Sequence, residues 1–259
     1  MIKSFGKRVL FSVPQTIVIY SMFKLLKGFE KQTIRNFQEP ISFFAPRQSY
    51  SIARSGIDRN GRYEAPLLER FVKSLNSKGV VLDIGADVGI YTLIAGKKTK
   101  NIHSFEPDPY AAYLMKKNSE RLKINPTIVR KFVGDKNASN MITIDTYCQQ
   151  NNVCPTHIKI DVEGYEIFAL RGMDKTLTRY GPKLFIEFHE RIIKERLKLS
   201  QKDVDNFFKF VRKHGYNMIF NGHHYEMLMS QDKLYNFEWY STPPNSINYA
   251  CIAERSQSR

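Results

Sequence analysis

Two glycines and two acids follow a short apolar run in the first half of the chain. Residues 80–84 are apolar apart from Asp83, and the run 83–89 reads Asp-Ile-Gly-Ala-Asp-Val-Gly. Glycines let a backbone turn tightly and approach a ligand closely. The spacing of Gly85 and Gly89 differs from the Gly-x-Gly-x-x-Gly of dinucleotide sites, and the neighbouring acids would repel a pyrophosphate. The run therefore predicts a site for a cationic ligand, such as a sulfonium with an amino-acid tail.

A further acid follows the next predicted strand, in the run Phe-Glu-Pro-Asp at 105–108. Glu106 comes 23 residues after Asp83, which is where an acid at the tip of the second strand takes the ribose hydroxyls of a nucleotide. A carboxylate can accept two such hydrogen bonds at once. Asp135 follows Gly134 after the third predicted strand, and we expect it to accept a hydrogen bond from an adenine amino group. A simple turn is the alternative reading of that pair.

Two later motifs place acids and a histidine at the ends of strands. The run 158–166 contains Asp161 and Glu163, and the run 185–189 reads Phe-Ile-Glu-Phe-His. Side chains alternate along a strand, so Glu187 and His189 lie on the same side. Open α/β sheets bind ligands at the carboxyl ends of their strands. We therefore expect these residues to face a second ligand beside the first.

The elements that carry these motifs alternate between strand and helix. Short apolar runs predict strands, and apolar residues at 3.6-residue spacing predict helices. Predicted strands are 80–84, 102–106, 127–133, 157–161 and 183–189, and predicted helices are 66–76, 88–95, 110–123, 166–180 and 200–213. Residues 216–220 and 246–254 predict a closing antiparallel pair. This order predicts an α/β fold with a mainly parallel sheet, an antiparallel closing hairpin and helices on both faces.

The chain divides into a main domain and two flanking segments. Residues 61–255 form the predicted domain, residues 1–60 are a basic, partly apolar helical extension, and residues 256–259 are a disordered tail. Residues 9–23 carry no charge but contain Pro14 and are shorter than the roughly 20 residues that a membrane span needs. We expect this extension to pack on the domain, with peripheral membrane contact through residues 1–30 as the alternative.

Taken together and in this order, the motifs resemble the FkbM family of methyltransferases over residues 62–220. The runs that carry the resemblance are Tyr-Glu at 63–64, Val-Leu-Asp-Ile-Gly-Ala-Asp-Val-Gly at 81–89, Phe-Glu-Pro at 105–107, Ile-Lys-Ile-Asp-Val-Glu-Gly at 158–164, Leu-Arg-Gly at 170–172 and Ile-Glu-Phe-His at 186–189. One departure is Asp87, where the family usually has Asn. The resemblance implies a Rossmann-like fold of class I type, S-adenosyl-L-methionine as cofactor, and methyl transfer to a hydroxyl oxygen of a sugar, glycan or other small molecule.

The resemblance also implies roles for the residues that match it. The expected cofactor-binding residues are Asp83, Gly85, Ala86, Asp87, Gly89, Glu106, Pro107, Asp135 and Asp161, with the glycine-rich run around the methionine part and Glu106 on the ribose. The expected catalytic residues, facing the acceptor, are His189, Asp161, Glu187 and Glu163.

A hydroxyl acceptor is a poor acid, so a base that titrates near neutrality suits it. His189 is the first candidate for this base and Asp161 the second. A divalent metal held by Asp161, Glu187 and His189 is an alternative that the pattern permits without demanding, so no metal ligand is assigned.

Charge and cysteine content leave other functions open. Forty Lys and Arg against 25 Asp and Glu give a net charge of +15, which attracts polyanions. An RNA methyltransferase using the basic stretch 191–213 is therefore an alternative, although nucleic acid is not the favoured partner. A non-catalytic binding module on the same fold is another, whereas the glycine spacing disfavours an NAD-dependent oxidoreductase. Three cysteines without a zinc-type spacing favour a reducing, cytoplasmic setting.

Overall fold

A computed structural model describes residues 28–37, 39–46, 60–222 and 249–255. The strands are β1 (Phe29–Ile34), β2 (Ile41–Pro46), β3 (Val80–Ile84), β4 (Asn101–Phe105), β5 (Thr127–Val129), β6 (Phe132–Val133), β7 (Met141–Ile142), β8 (His157–Ile160), β9 (Lys183–Phe188), β10 (Tyr216–Gly222) and β11 (Tyr249–Arg255). The helices are α1 (Ala65–Ser74), α2 (Ile90–Ala95), α3 (Pro109–Arg121), α4 (Ile144–Asn151), α5 (Glu166–Arg171), α6 (Asp174–Tyr180), α7 (Glu190–Glu195) and α8 (Gln201–Lys213).

A seven-stranded sheet forms the centre of the molecule, in the order β10-β11-β9-β8-β3-β4-β5. Strands β9, β8, β3, β4 and β5 run parallel, and β11 pairs antiparallel with both β9 and β10. The predicted Rossmann-like α/β fold, with a mainly parallel sheet and an antiparallel closing hairpin, is confirmed. Because the parallel strands meet at one edge, the loops that follow β3, β4, β8 and β9 converge there.

The sheet is buried on both faces, which is why its strands read as continuous apolar runs. Alternate residues of each strand enter different cores. Val81 and Phe185 pack in one core with α1, α2 and α3, whereas Leu82 and Ile186 pack in the other with α4, α5, α6 and α8. The expectation of helices on both faces is therefore confirmed.

The N-terminal extension differs from the helical segment predicted for residues 1–60. Its described part is an antiparallel hairpin of β1 and β2, with Phe29 opposite Pro46. The Asn118 side chain on α3 fixes this hairpin, since it accepts a hydrogen bond from the Phe44 N–H (2.6 Å) and donates one to the Phe44 carbonyl (3.0 Å). The helical prediction is wrong here because the strand pattern of residues 41–46 depends on burial against α3.

Two predicted elements are each divided in the structure. The predicted helix 166–180 is two helices, α5 and α6, because the chain bends at Gly172. A Cβ on Gly172 would lie 2.0 Å from the carbonyl oxygen of Gly134, so a close backbone approach fixes this break. The predicted strand 127–133 is divided into β5 and β6, and the sequence analysis did not anticipate β7, α4 or α7.

Residues 1–27, 47–59 and 256–259 lie outside the described part of the chain, so the uncharged run 9–23 and the predicted tail cannot be compared with it. Among the residues that are described, no helix is long and apolar enough to cross a membrane.

Candidate active site

A cavity opens at the carboxyl ends of β3, β4 and β8. The sequence-predicted residues that line it are Asp83, Gly85, Ala86, Asp87, Glu106, Pro107, Asp161 and Glu163. Gly89, Asp135, Glu187 and His189 lie outside its lining. The structure thus brings most of the predicted cofactor residues together on one wall and places Asp161 and Glu163 beside them.

Glu106 is the best-positioned polar group on the cofactor side of the cavity. Glu106 is 7% exposed. Each of its carboxylate oxygens accepts a hydrogen bond of 2.8 Å from a backbone N–H, Oε2 from Asp87 and Oε1 from Asp108. Burial, and then the negative charge of Asp87, raise the pKa of Glu106 to about 8, against the opposing effect of those hydrogen bonds. The carboxylate is therefore rigidly held with its remaining lone pairs available to a ligand in the cavity.

The glycine-rich turn is shaped as much by backbone packing as by ligand approach. Gly85 has φ +80°, and a Cβ there would lie 1.8 Å from the carbonyl oxygen of Asp161. Gly89 has φ +91° and begins α2, where a Cβ would lie 2.6 Å from Cγ of Met115. Gly85 therefore allows the loops after β3 and β8 to touch, and Gly89 allows α2 to pack against α3.

A further wall of the cavity is built from residues that the sequence analysis did not select. Phe105, Phe132 and Val133 supply apolar walls, and Lys131 lies beside them. Asp135, the predicted adenine contact, is exposed and outside the lining. The bend between β5 and β6 turns residues 131–133 toward the cavity, and no local sequence signal marks that bend.

A buried lysine organises the acids at the other side of the cavity. The Lys159 side chain is 1% exposed, and its Nζ lies 3.6 Å from Oδ2 of Asp161 and 3.9 Å from Oε1 of Glu187. The ammonium also lies 4.6 Å from the ring centre of Tyr91. Burial by itself lowers the pKa of Lys159, but the two carboxylates outweigh it and raise that pKa above its usual value. Lys159 therefore stays cationic and orients both acids.

Glu64 adds a further acid above this lysine. It is buried, and its Oε2 accepts a hydrogen bond of 2.8 Å from the Tyr91 hydroxyl. Burial and the nearby charge of Glu187 raise the pKa of Glu64 well above its usual range. Burial thus disfavours the charged form of the Glu64 carboxyl, and Tyr63 beside it lines the cavity.

His189 belongs to this buried cluster rather than to the cavity wall. Its Nδ1 is 2.9 Å from Oε1 of Glu166, a carboxylate that is fully buried. Its Nε2 lies 3.9 Å from Oδ1 of Asp161 and 3.9 Å from Oε2 of Glu187. Burial alone lowers the pKa of His189, but Glu166, Asp161 and Glu187 outweigh it and raise that pKa to about 10. His189 is therefore an imidazolium in this arrangement, which disfavours it as the base.

Asp161 connects the cluster with the cavity, since it both lines the cavity and approaches His189 and Lys159. Burial and the charge of Glu187 raise its pKa to about 7, against the lowering effects of Lys159 and His189. Lys159 and Glu166 are thus site residues that the sequence analysis did not assign. A lysine between two isoleucines in a buried strand was a signal for the first, because lysine is almost never fully buried unless paired.

S-adenosylmethionine fits this arrangement of residues. Glu106 offers a fixed, buried acceptor pair for the ribose hydroxyls, and Phe105, Phe132 and Val133 offer flat apolar surface for the adenine. Asp83 and Asp87 supply negative charge where a sulfonium and an ammonium would lie. The acids of the cavity would be unsuited to a pyrophosphate.

Comparison with known proteins agrees with this description. The FkbM domain of methyltransferases matches residues 127–218, from β5 into β10. No curated protein matches the chain. A methyltransferase FkbM from Methylobacillus flagellatus is 18% identical at a TM-score of 0.48, over 69% of this chain and 44% of that protein, so the chain spans less than half of its length.

Two further solved structures come from M. jannaschii. TYW2 in complex with AdoMet is 16% identical at a TM-score of 0.45, over 87% of each chain. A tRNA m1G37 methyltransferase is 13% identical at a TM-score of 0.49, over 90% of this chain and 58% of that one.

The fold is that of class I, Rossmann-like methyltransferases, and the residues that line the cavity suit S-adenosylmethionine as the cofactor. The match over residues 127–218 confirms, for that part of the chain, the resemblance to the FkbM family of methyltransferases that the motifs indicated.

Proposed function

We propose that this methyltransferase transfers its methyl group to a hydroxyl oxygen of a small-molecule or glycan acceptor. The observation that supports this is the position of Asp161, whose carboxylate lines the cofactor cavity and is held from behind by Lys159 and His189. A fixed carboxylate at that place suits an acceptor that presents an O–H group, because it accepts the hydrogen bond and orients the oxygen.

The residues of the cofactor side have separable tasks. We assign the ribose hydroxyls to Glu106, the methionine part to the turn from Gly85 to Asp87 with Asp83 beneath it, and the adenine to the pocket of Phe105, Phe132 and Val133. The bound cofactor supplies a methyl group already activated by its sulfonium. What the chain must add is alignment of the acceptor oxygen, which can contribute much of the rate.

At the acceptor side, Asp161 receives the hydrogen bond from the acceptor hydroxyl and Glu163 lines the same wall. Lys159 and His189 keep the Asp161 carboxylate in one orientation through contacts at 3.6 and 3.9 Å. His189 therefore acts on the acceptor through Asp161. Removal of the Asp161 charge removes both the hydrogen bond and the group closest to the leaving proton.

The test is a screen with labelled S-adenosylmethionine against hydroxylated acceptors, followed by comparison of Asp161→Asn with Asp135→Asn. The two variants make the same chemical change, but Asp135 is exposed and outside the cavity lining. We expect Asp161→Asn to lower kcat by about 100-fold or more, with cofactor affinity changed by less than about 3-fold. Methylation of nitrogen or carbon alone, or unchanged kcat in Asp161→Asn, would contradict the proposal.

A second candidate acceptor is RNA, because α8 presents a basic surface. Lys202, Lys209, Arg212 and Lys213 are all exposed on this helix. Phosphate contacts of this kind predict binding that weakens steeply with salt. Binding of an unstructured RNA that falls about 10³-fold or more between 50 and 200 mM salt, together with methyl incorporation into it, would favour RNA over a small acceptor.

A further inference from the structure

Asp161, Glu187 and His189 each offer a ligand atom, and these atoms all lie within 4.8 Å of one another. We propose that the three side chains form a binding site for a first-row divalent metal ion such as Mn²⁺ or Zn²⁺. The ion's role toward the acceptor rests on the proposed function, whereas its binding does not. The proposed site adjoins the cavity through Asp161, which lines it, whereas Glu187 and His189 lie outside the lining.

The spacing of the three groups suits a metal better than a direct hydrogen bond. Nε2 of His189 is 3.9 Å from Oδ1 of Asp161 and 3.9 Å from Oε2 of Glu187, whereas N–H···O hydrogen bonds are roughly 2.7–3.2 Å long. The third separation, between the two carboxylate oxygens, is within 4.8 Å. A point equidistant from the three atoms therefore lies at most about 2.5 Å from each, close to the roughly 2.0–2.2 Å of metal bonds to imidazole and carboxylate. Small side-chain shifts complete the coordination.

Each of the three ligands is oriented by a second group behind it. Glu166 holds Nδ1 of His189 at 2.9 Å, and the Gly164 N–H in turn holds Glu166 at 2.9 Å. A carboxylate on one imidazole nitrogen fixes the tautomer in which the other nitrogen can bind a metal. The arrangement therefore has the outer contacts of a metal site as well as its ligands.

Lys159 performs the same task for the two acids. Its ammonium approaches Oδ2 of Asp161 and Oε1 of Glu187. The other oxygen of each carboxylate is the one that lies toward Nε2 of His189. In each carboxylate, one oxygen therefore contacts Lys159 and the other is available to the proposed ion.

The charges of the cluster also favour a bound metal ion. Asp161, Glu166 and Glu187 are gathered around two basic side chains, Lys159 and His189. Buried anions are costly unless they are paired or bind a metal. A dication bound between these carboxylates would add compensating positive charge.

The ligand set indicates the kind of metal. One imidazole nitrogen and two carboxylate oxygens suit Mn²⁺, Fe²⁺ or Zn²⁺, while Ca²⁺ and Mg²⁺ prefer oxygen alone. Three protein ligands leave coordination positions open, as in catalytic metal sites. An acceptor oxygen bound there would be polarised and would lose its proton more readily.

The experiment is titration of the chelator-treated full chain with Mn²⁺, with free Mn²⁺ followed by its paramagnetic resonance signal, and with Zn²⁺ by calorimetry. We expect one ion for each chain. His189→Ala should weaken binding by about 100-fold or more, and Glu166→Gln by roughly 10–100-fold. The matched control is His214→Ala, because His214 also pairs with an acid, Asp174, at 3.0 Å, but belongs neither to the cavity lining nor to the three-residue cluster.

Circular dichroism shows whether the variants fold, and a rise in the wild-type Tm on metal addition gives a second measurement that needs no variant. Absence of Mn²⁺ and Zn²⁺ binding by the wild type, or equal affinity in the His189→Ala and His214→Ala variants, would overturn the metal site. Cofactor binding is measured on the same preparation. Cofactor binding without metal binding refutes only the metal site, and metal binding without methyl transfer refutes only the proposed function.

Discussion

Replacement of Glu106 by glutamine tests the cofactor site most directly, because it keeps the shape of the side chain and removes its charge. Both carboxylate oxygens accept backbone N–H groups, from Asp87 and Asp108. Glutamine has one acceptor oxygen and one donor NH₂ group. Glu106→Gln therefore leaves one backbone N–H facing another donor, and it offers a weaker acceptor to the ribose hydroxyls.

The expected loss of cofactor affinity follows from hydrogen-bond strengths. Hydrogen bonds to a charged group contribute roughly 1.5–3 kcal/mol each. Glutamine can keep at most one of the two hydrogen bonds to the ribose hydroxyls. We therefore expect the binding free energy to weaken by about 2–3 kcal/mol, which raises Kd roughly 30- to 150-fold.

Without cofactor, the same substitution should stabilise the protein relative to wild type at high pH. Burial raises the pKa of Glu106 to about 8, so the folded state keeps a proton that the unfolded state has lost. The contribution of Glu106 to stability is therefore full below about pH 4.5, declines as the pH rises toward 8, and is constant above it. The decline is at most about 5 kcal/mol. Glutamine does not titrate, so Glu106→Gln should gain stability relative to wild type across this window.

Calorimetric titration with S-adenosylmethionine at about pH 9, where Glu106 is ionised, measures the first effect, and urea unfolding at about pH 5 and about pH 9 measures the second. Glu195→Gln is the matched control, because Glu195 is exposed on α7. A Kd within about 3-fold of wild type would refute the assignment of Glu106 to the ribose. A stability difference that is the same at both pH values would refute the buried, protonated state of Glu106.

Two other substitutions test the framework of the site. Gly85→Ala and Gly215→Ala impose similar backbone strain, since the φ values are +80° and +81°, but only at Gly85 would the new Cβ lie 1.8 Å from a carbonyl oxygen. We expect Gly215→Ala to lower the free energy of urea unfolding by about 1 kcal/mol and Gly85→Ala to lower it by more than about 3 kcal/mol. Equal losses would contradict the contact with Asp161. Asn118→Ala should lower the free energy of unfolding by about 2–4 kcal/mol, because the buried Asn118 side chain forms hydrogen bonds with both Phe44 and Val88. Amide hydrogen exchange should become faster in β2 but not in β8. Unchanged protection of β2 would mean that other contacts hold the hairpin.

Local signals predicted the elements whose structure is decided locally. The bounds predicted for β3 are those observed, because a five-residue apolar run between breakers fits only a strand buried on both faces. The predicted helix 200–213 begins with Ser200, which caps α8 in a reciprocal capping box with Asp203. The division between α5 and α6 could not be predicted in the same way, because it depends on the approach of Gly172 to Gly134, 38 residues away in sequence.

The same distinction applies to the site. Glu106 and Asp161 were identified because each follows a strand directly, and a parallel sheet brings such positions to one edge. Asp135 was selected by the same rule, but the short strands β5 and β6 turn Lys131 and Phe132 toward the cavity in its place. Glu166 lies in a helix beyond the strand end, so only the fold shows that its carboxylate reaches His189.

The glycine-rich turn shows how a motif can locate a site for a reason other than the one assigned to it. The spacing of Gly85 and Gly89 was interpreted as room for a ligand, yet Gly85 approaches the Asp161 carbonyl and Gly89 approaches Met115. The Asp161 N–H also donates to the Ile84 carbonyl at 2.9 Å, so the loops after β3 and β8 are joined by backbone contacts on both sides of Gly85. The turn that we propose for the cofactor and the carboxylate that we propose for the acceptor are therefore joined through the backbone. Because catalysis of methyl transfer depends on alignment, the glycine contributes to it by fixing this distance between donor and acceptor sides.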